Sequence, residues 1–219
     1  TCTMIVHNLE SETSVLDHFI AEIRDIEIQK DAMRFRRNIE RIGEVLSYEM
    51  SKTLTYADRS VKTPLGEKSV PAISDTMVLC SILRAGLPLH QGILNYFDDI
   101  DNAFVSAYRH HTTPEVFEIK VEYLAAPSLN DKILILADPM LATGSSLIAV
   151  FETLKGLGNV KQVHLISVIA SQEGIENAAR SFPEDTHLWV ATVDPRLNEQ
   201  GYIVPGLGDA GDLSFGSKL

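Results

Sequence analysis

Few stretches of this chain narrow its possible folds as much as Lys132-Ile-Leu-Ile-Leu-Ala137, a continuous apolar run of strand length that stops at Asp138. Such a run, bounded by polar residues, reads as a buried strand, and four more of its kind follow from the sequence: Met77 to Leu83, Ala103 to Tyr108, Gln162 to Ala170 and His187 to Val193. Helical patterns separate them. One opens at Gly86 and continues through Leu87, Leu89, Ile93, Leu94 and Phe97; others span Leu147 to Leu157 and Gly174 to Ser181. Alternating strands and helices specify a mostly parallel sheet flanked by helices, an α/β fold of Rossmann-like type.

Ahead of the alternation, Phe35, Ile39, Ile42, Leu46 and Met50 recur at spacings of 4, 3, 4 and 4, which predicts an amphipathic helix from Asp31 to about Thr53 within an N-terminal helical segment of about 11–55. Its charged face, with Arg34, Arg36, Arg37, Glu40, Arg41 and Glu44, reads as a solvated or subunit-facing surface. Tyr56 to Asp75 reads as a turn-rich segment broken at Pro64-Leu-Gly66 and Pro71, and His110 to Pro114 as a further turn. Phe117, Ile119, Val121 and Tyr123 alternate with Glu118, Lys120 and Glu122, the pattern of a half-exposed antiparallel strand and so of a small hairpin or flap over about 109–125. Residues 201–216, rich in glycine but also in aromatic and branched side chains, read as an ordered loop. No internal repeat or polar linker divides the chain, so one domain over 1–219 is expected.

Thirty acidic against 19 basic residues leave a formal charge of -11, which disfavours nucleic acid and anionic membrane as partners. Two cysteines, Cys2 and Cys80, exclude a disulfide framework, and Cys80 lies in an apolar run that suits a buried thiol. No apolar stretch reaches membrane-spanning length and the first residues lack the order of a signal peptide, so a cytoplasmic location is expected.

The chemistry concentrates at Ile133-Leu-Ile-Leu-Ala-Asp-Pro-Met-Leu-Ala-Thr-Gly-Ser-Ser-Leu147: a strand, an acid at its end, and a turn that opens a helix. Amides of Thr143 to Ser146, the helix dipole, the small Gly144 and the hydroxyls of Thr143, Ser145 and Ser146 together suit a phosphate, with Asp138 in reach of a sugar carried on it. The same residues would also serve as a plain helix cap and tight turn. No Walker Gly-x-x-x-x-Gly-Lys-Ser/Thr string occurs, and the spacing of this turn is wrong for the dinucleotide Gly-x-Gly-x-x-Gly fingerprint. Arg84, directly after a buried strand, is either paired to a carboxylate or aimed at an anion.

With its strand, acid and Thr-Gly turn, this stretch resembles the loop of the phosphoribosyltransferases that binds phosphoribosyl pyrophosphate (PRPP). The form Asp138-Pro-Met-Leu-Ala-Thr-Gly is similar to that of the uracil branch, as are Ile82-Leu-Arg-Ala-Gly-Leu87 with Tyr108-Arg109 downstream, and Gly201-Tyr-Ile-Val-Pro-Gly-Leu-Gly-Asp-Ala-Gly-Asp212. These matches run in order from Phe35 to Gly216. The resemblance implies that uracil and PRPP give UMP and diphosphate. It implies that Arg84, Arg109, Asp138, Pro139, Met140, Leu141, Ala142, Thr143, Gly144, Ser145, Ser146 and Asp209 bind PRPP, and that Ile203, Gly208, Asp209 and Ala210 bind uracil. Asp209, Arg109 and Asp138 would be the catalytic set. It implies Mg²⁺ carried mainly by PRPP, a homodimer or homotetramer, and room for GTP as an effector. A regulatory protein of the same fold and a transferase for another base such as orotate or hypoxanthine are the alternatives. One departure stands out: the family's loop usually reads Thr-Gly-Gly-Ser, whereas Ser145 stands third here, which would loosen the phosphate fit if that position needs a positive φ. His110 and His111 read as loop residues, and Lys120 as part of a flap over the site.

Overall fold

The computed structural model describes residues 3–113 and 116–219; Cys2 and Pro114 lie outside the described residues. In chain order the elements are β1 (Ile5–Asn8), α1 (Val15–Arg24), α2 (Ala32–Ser51), β2 (Tyr56–Thr63), β3 (Gly66–Ile73), β4 (Met77–Leu83), α3 (Gly86–Leu94) and β5 (Asp101–His111). There follow β6 (Phe117–Ala125), β7 (Ile133–Ala137), β8 (Met140–Leu141), α4 (Ser145–Leu154), β9 (Gln162–Ser171), α5 (Gln172–Ser181), β10 (His187–Asp194), β11 (Arg196–Leu197), β12 (Ile203–Val204) and α6 (Ala210–Phe215). The main sheet runs β1-β10-β9-β7-β4-β5-β6, with β8 alongside β9, and only the β5–β6 pair is antiparallel. No helix among the described residues is long and apolar enough to cross a membrane.

The uninterrupted apolar runs follow from this layering, because a central parallel strand is covered on both faces. Met77 and Leu79 of β4, with Ile133, Ile135 and Ala137 of β7, face a core that α2 and α3 fill with Phe35, Ile39, Ile42, Leu46, Leu89 and Ile93. The alternate residues Val78, Cys80, Ile82, Leu134 and Leu136 face the other core, completed by Leu147, Val150, Phe151 and Leu154 of α4. Burial pushes the Cys80 thiol up to about 12, so it packs as a small apolar group. The predicted apolar stripe of α2 is buried throughout, and Asp31 caps the helix by accepting from the Arg34 amide at 3.1 Å. Its charged face binds within the chain: Arg37 pairs with Glu40, Arg34 with Glu22, and Arg36 donates to the Ser214 carbonyl. α2 and α3 meet backbone to backbone, since a Cβ on Gly92 would lie 2.1 Å from the Glu40 carbonyl oxygen.

Four expectations need correction. Tyr56 to Asp75 is not a run of turns: β2 and β3 form a regular antiparallel hairpin around Pro64-Leu65, and it was hidden because its mostly exposed strands carry no apolar alternation. His110 and His111, read as part of a turn, lie in a strand: the antiparallel hairpin expected over about 109–125 is formed by β5 and β6 at the edge of the main sheet. Residues 210–215 of the closing loop are a short helix, with Asp209 as its cap. The helix after the phosphate loop begins at Ser145 and ends at Leu154. In addition, Ile5–Asn8 adds an edge strand too short to show a pattern.

Candidate active site

Parallel strands bring their carboxyl ends to one rim, and ligand sites in open α/β sheets form there. β4 delivers Arg84, β5 delivers Arg109, β7 delivers Asp138, and β10 runs out into the loop that carries residues 201–211. Between them lies a cleft of about 190 Å³. Its walls contain Arg109, Asp138, Met140, Leu141, Ala142, Thr143, Gly144, Ser145 and Ser146 on one side, and Ile203, Gly208, Asp209 and Ala210 on the other. Thus nearly every residue singled out in the sequence meets in one place. Ala85, Leu147, Gly201, Tyr202 and Gly211 complete the wall; they lie within the segments quoted from the sequence but were given no individual role there.

Two of the residues that the resemblance assigns to PRPP or uracil lie outside the wall. Pro139 is buried, and its carbonyl accepts from the amides of Val168 and Ile169 at 3.0 Å each, bracing the start of the loop against β9. Arg84 takes the first of its two readings: it donates to Asp212 at 3.1 Å and to the Gly216 carbonyl at 2.9 Å. Its Nε is buried without a partner. Arg109 is exposed and lies over the Phe117 ring, 4.9 Å from its centre, with its guanidinium on the cleft side opposite Gly201. Lys120 pairs with Glu118, and it and the two histidines take no part in the cleft wall.

The phosphate-loop geometry explains its sequence. The positive φ of +84° falls on Gly144, where a glycine is favoured, and Ser145 is the first helical residue with no such requirement. The departure from the family pattern therefore carries no backbone strain. The Ser145 amide is not free as expected, because Thr143 Oγ1 accepts from it at 3.3 Å; Thr143 and Ser145 also share a hydroxyl bond of 2.9 Å. The amides of Ser146 and Leu147 are left at the open helix start in the cleft wall. From outside, Ser171 donates to the Ala142 carbonyl and Asn177 to the Thr143 carbonyl, so the loop's acceptors are engaged away from a ligand. Gly174 permits this approach; a Cβ there would lie 2.4 Å from the Ala142 oxygen.

Enclosure at the base of the cleft pushes the Asp138 carboxyl up to about 7, only partly countered by the Met140 amide, which donates to it at 3.3 Å. Asp209 accepts from the Asp212 amide at 2.9 Å and so caps α6 while facing the cleft. Ile203 and Ala210 bury their side chains, so toward a ligand they offer backbone.

A strand-end acid, a Thr-Gly turn opening a helix and a cationic rim at the switch point of a parallel sheet define the phosphoribosyltransferase class. A hypoxanthine phosphoribosyltransferase from Staphylococcus aureus shares the fold, with a TM-score of 0.51 at 15% identity over 74% of this chain and 76% of its own. The chain itself belongs to the uracil phosphoribosyltransferase family, whose model matches residues 10–217. A uracil phosphoribosyltransferase of Porphyromonas gingivalis is 52% identical over 216 residues, covering 99% of this chain and all (100%) of that one. That of Methanothermobacter thermautotrophicus is 39% identical over 188 residues, 85% of each chain. A solved protein from Aquifex aeolicus superposes with a TM-score of 0.86 at 29% identity over 98% of this chain and 100% of that one.

Proposed function

We propose that this chain transfers the 5-phosphoribosyl group of PRPP to uracil, giving UMP and diphosphate. The observation that carries this is the single cleft whose two walls are a phosphate-type loop at 143–146 and a backbone-rich loop at 201–211. Thr143 to Ser146 hold the 5′-phosphate, and Asp138 takes the ribose hydroxyls. Arg109, and Arg84 once released from Asp212, neutralise the diphosphate as the bond to C1 breaks. Uracil presents two carbonyl acceptors and an N3-H donor, which main-chain groups at Ile203, Gly208 and Ala210 can read without charge. Asp209, in the wall formed by the 201–211 loop, orients the donor. Catalysis is positional and electrostatic, and no side-chain nucleophile is called for.

Mg²⁺ fits this donor set as a passenger on PRPP. No group of three or more ligand-type side chains is gathered among the described residues, and a cation that retains most of its waters would need few protein ligands. Asp138 and Asp209 are the carboxylates available to it in the cleft wall, and its role would be to spread the charge of the leaving diphosphate. Assembly as a homodimer or homotetramer is supported by the β2–β3 hairpin, which stands outside the main sheet with its strands exposed, a marginal arrangement for a lone hairpin in water. GTP is the candidate effector.

The test is chromatographic detection of nucleotide monophosphate after mixing protein, PRPP and Mg²⁺ with uracil, orotate or hypoxanthine, each with and without GTP. UMP from uracil alone is expected. Orotate carries a carboxylate that would want a cation in the base loop, and Gly201 to Asp212 supply none; product from orotate or hypoxanthine would overturn the reading of that loop.

A further inference from the structure

Behind the base-reading loop lies a partly buried ion pair that no step above uses. Asp194, the last residue of β10, has a side chain only 6% exposed and accepts from both terminal nitrogens of Arg24, at 2.7 and 2.8 Å. Both partners then reach the same residue of the loop. Arg24 Nη1 donates to the Gly206 carbonyl at 2.9 Å, and the Gly206 amide donates to Asp194 Oδ2 at 2.7 Å. Arg24 Nη2 also donates to Thr192 Oγ1 at 3.2 Å, which fixes the plane of the guanidinium. One residue further on, the Leu207 carbonyl accepts from Gln29 Nε2 at 3.1 Å, while the same amide donates to the Ile23 carbonyl at 2.8 Å.

Gly206 sits between the two halves of the loop assigned to uracil. Its φ is +59°, and a Cβ on it would lie 2.0 Å from the Ile203 carbonyl oxygen, so the chain folds back on itself there. Gly208 has a φ of +97°, and a Cβ built on it would meet nothing within 4 Å. The loop's position is therefore set behind Gly208, at residues 206 and 207. Reading a base with main-chain groups demands fixed spacing, because a displaced amide or carbonyl leaves a polar atom of the base unpaired.

We propose that Arg24, Asp194 and Gln29 are positioning residues for the base: they hold Gly206 and Leu207 so that the backbone of Ile203 and that of Gly208 and Ala210 keep the separation uracil requires. The inference rests on the uracil reading of this loop. It makes the C-terminal end of α1, a helix with no residue in the cleft, a determinant of base binding and not of PRPP binding.

Steady-state kinetics of the full-length protein with Mg²⁺ test it, with uracil and PRPP varied separately. Arg24→Lys keeps the charge and loses the two-nitrogen grip, and the KM for uracil is expected to rise roughly tenfold while the KM for PRPP stays within about twofold. Gln29→Ala leaves the ion pair intact and removes one loop tether, with a rise in uracil KM of roughly threefold. A purely architectural role would instead lower kcat by loss of active protein and leave both KM values alone; that pattern in either variant overturns the proposal. Should Arg24→Lys not fold, Gln29→Ala decides, and an unchanged uracil KM overturns it. Absence of UMP from the wild-type chain would overturn the reaction itself and this inference with it, an outcome separate from an active wild type whose variants keep its uracil KM.

Discussion

Asp138 holds a carboxyl in a place that penalises its charge. Its value in the folded chain, about 7, lies above the ordinary carboxylate value, so between about pH 4 and pH 7 the folded state binds the extra proton and stability falls as pH rises. Asp138→Asn removes that penalty: it is expected to raise Tm at pH 8 by a few degrees, at about 2–4 °C per kcal/mol for a chain of this size, and to leave Tm at pH 4 nearly unchanged. Thermal unfolding at the two pH values checks this, and the same variant should bind PRPP more weakly. Asp209→Asn is a contrasting case, because an asparagine oxygen can still accept from the Asp212 amide and keep the cap of α6. Turnover is expected to fall by roughly two orders of magnitude with Tm held, and wild-type kcat in that variant would remove Asp209 from the mechanism. At this scale the sequence was informative wherever a residue type was unusual for its place, as with an acid after an apolar strand. Asp194 ends the apolar run of β10 much as Asp138 follows that of β7 and carried the same signal, whereas Arg24 stands at the end of an ordinary amphipathic helix and nothing local set it apart.

Elements that bury one face or both announced themselves through periodicity, and those that do neither stayed hidden. β4, β7, β9 and β10 were legible because two helical layers demand apolar residues on both sides, and α2 because its stripe packs on the sheet. β2 and β3 were not, since Asp58, Arg59, Lys62, Glu67 and Lys68 reflect exposure and give no strand period. The α2–α3 contact is of a third kind, encoded by the absence of side chains at Gly43 and Gly92. Gly92→Ala drives a methyl group onto the Glu40 carbonyl and is expected to cost about 1–3 kcal/mol, seen as a lower urea midpoint with unchanged KM values. In the ion pair behind the base loop, burial works to raise the Asp194 carboxyl, but bonds from Arg24 and the Gly206 amide prevail and hold it below its usual value. Its stability contribution is therefore complete above about pH 4 and is lost as pH falls through the depressed value. The stability gap between wild type and Asp194→Asn should narrow on acidification, which unfolding curves at pH 7 and pH 3 will measure.

On the scale of the molecule, the exposed hairpin is where a second copy is expected to dock. Light scattering should report a dimer or tetramer for the whole chain, and a smaller species when residues 57–72 are replaced by a short turn; an intact chain that stays monomeric removes this expectation. The helix face from Arg34 to Glu44, a candidate for subunit contact on sequence grounds, has its arginines bound within the chain, which shifts attention to the hairpin. Long-range pairing is what sequence periodicity cannot express, and the edge strand β1 is the clearest instance: its four residues find their partners only in β10. Arg24 likewise meets Asp194 across 170 positions. For a chain made from its N-terminus at 5–20 residues per second, that separation is roughly 10–30 s of synthesis. Throughout that interval β1 has no sheet to join and Arg24 no carboxylate to grip, so this edge strand and the brace behind the base loop are expected to be among the last features to become native.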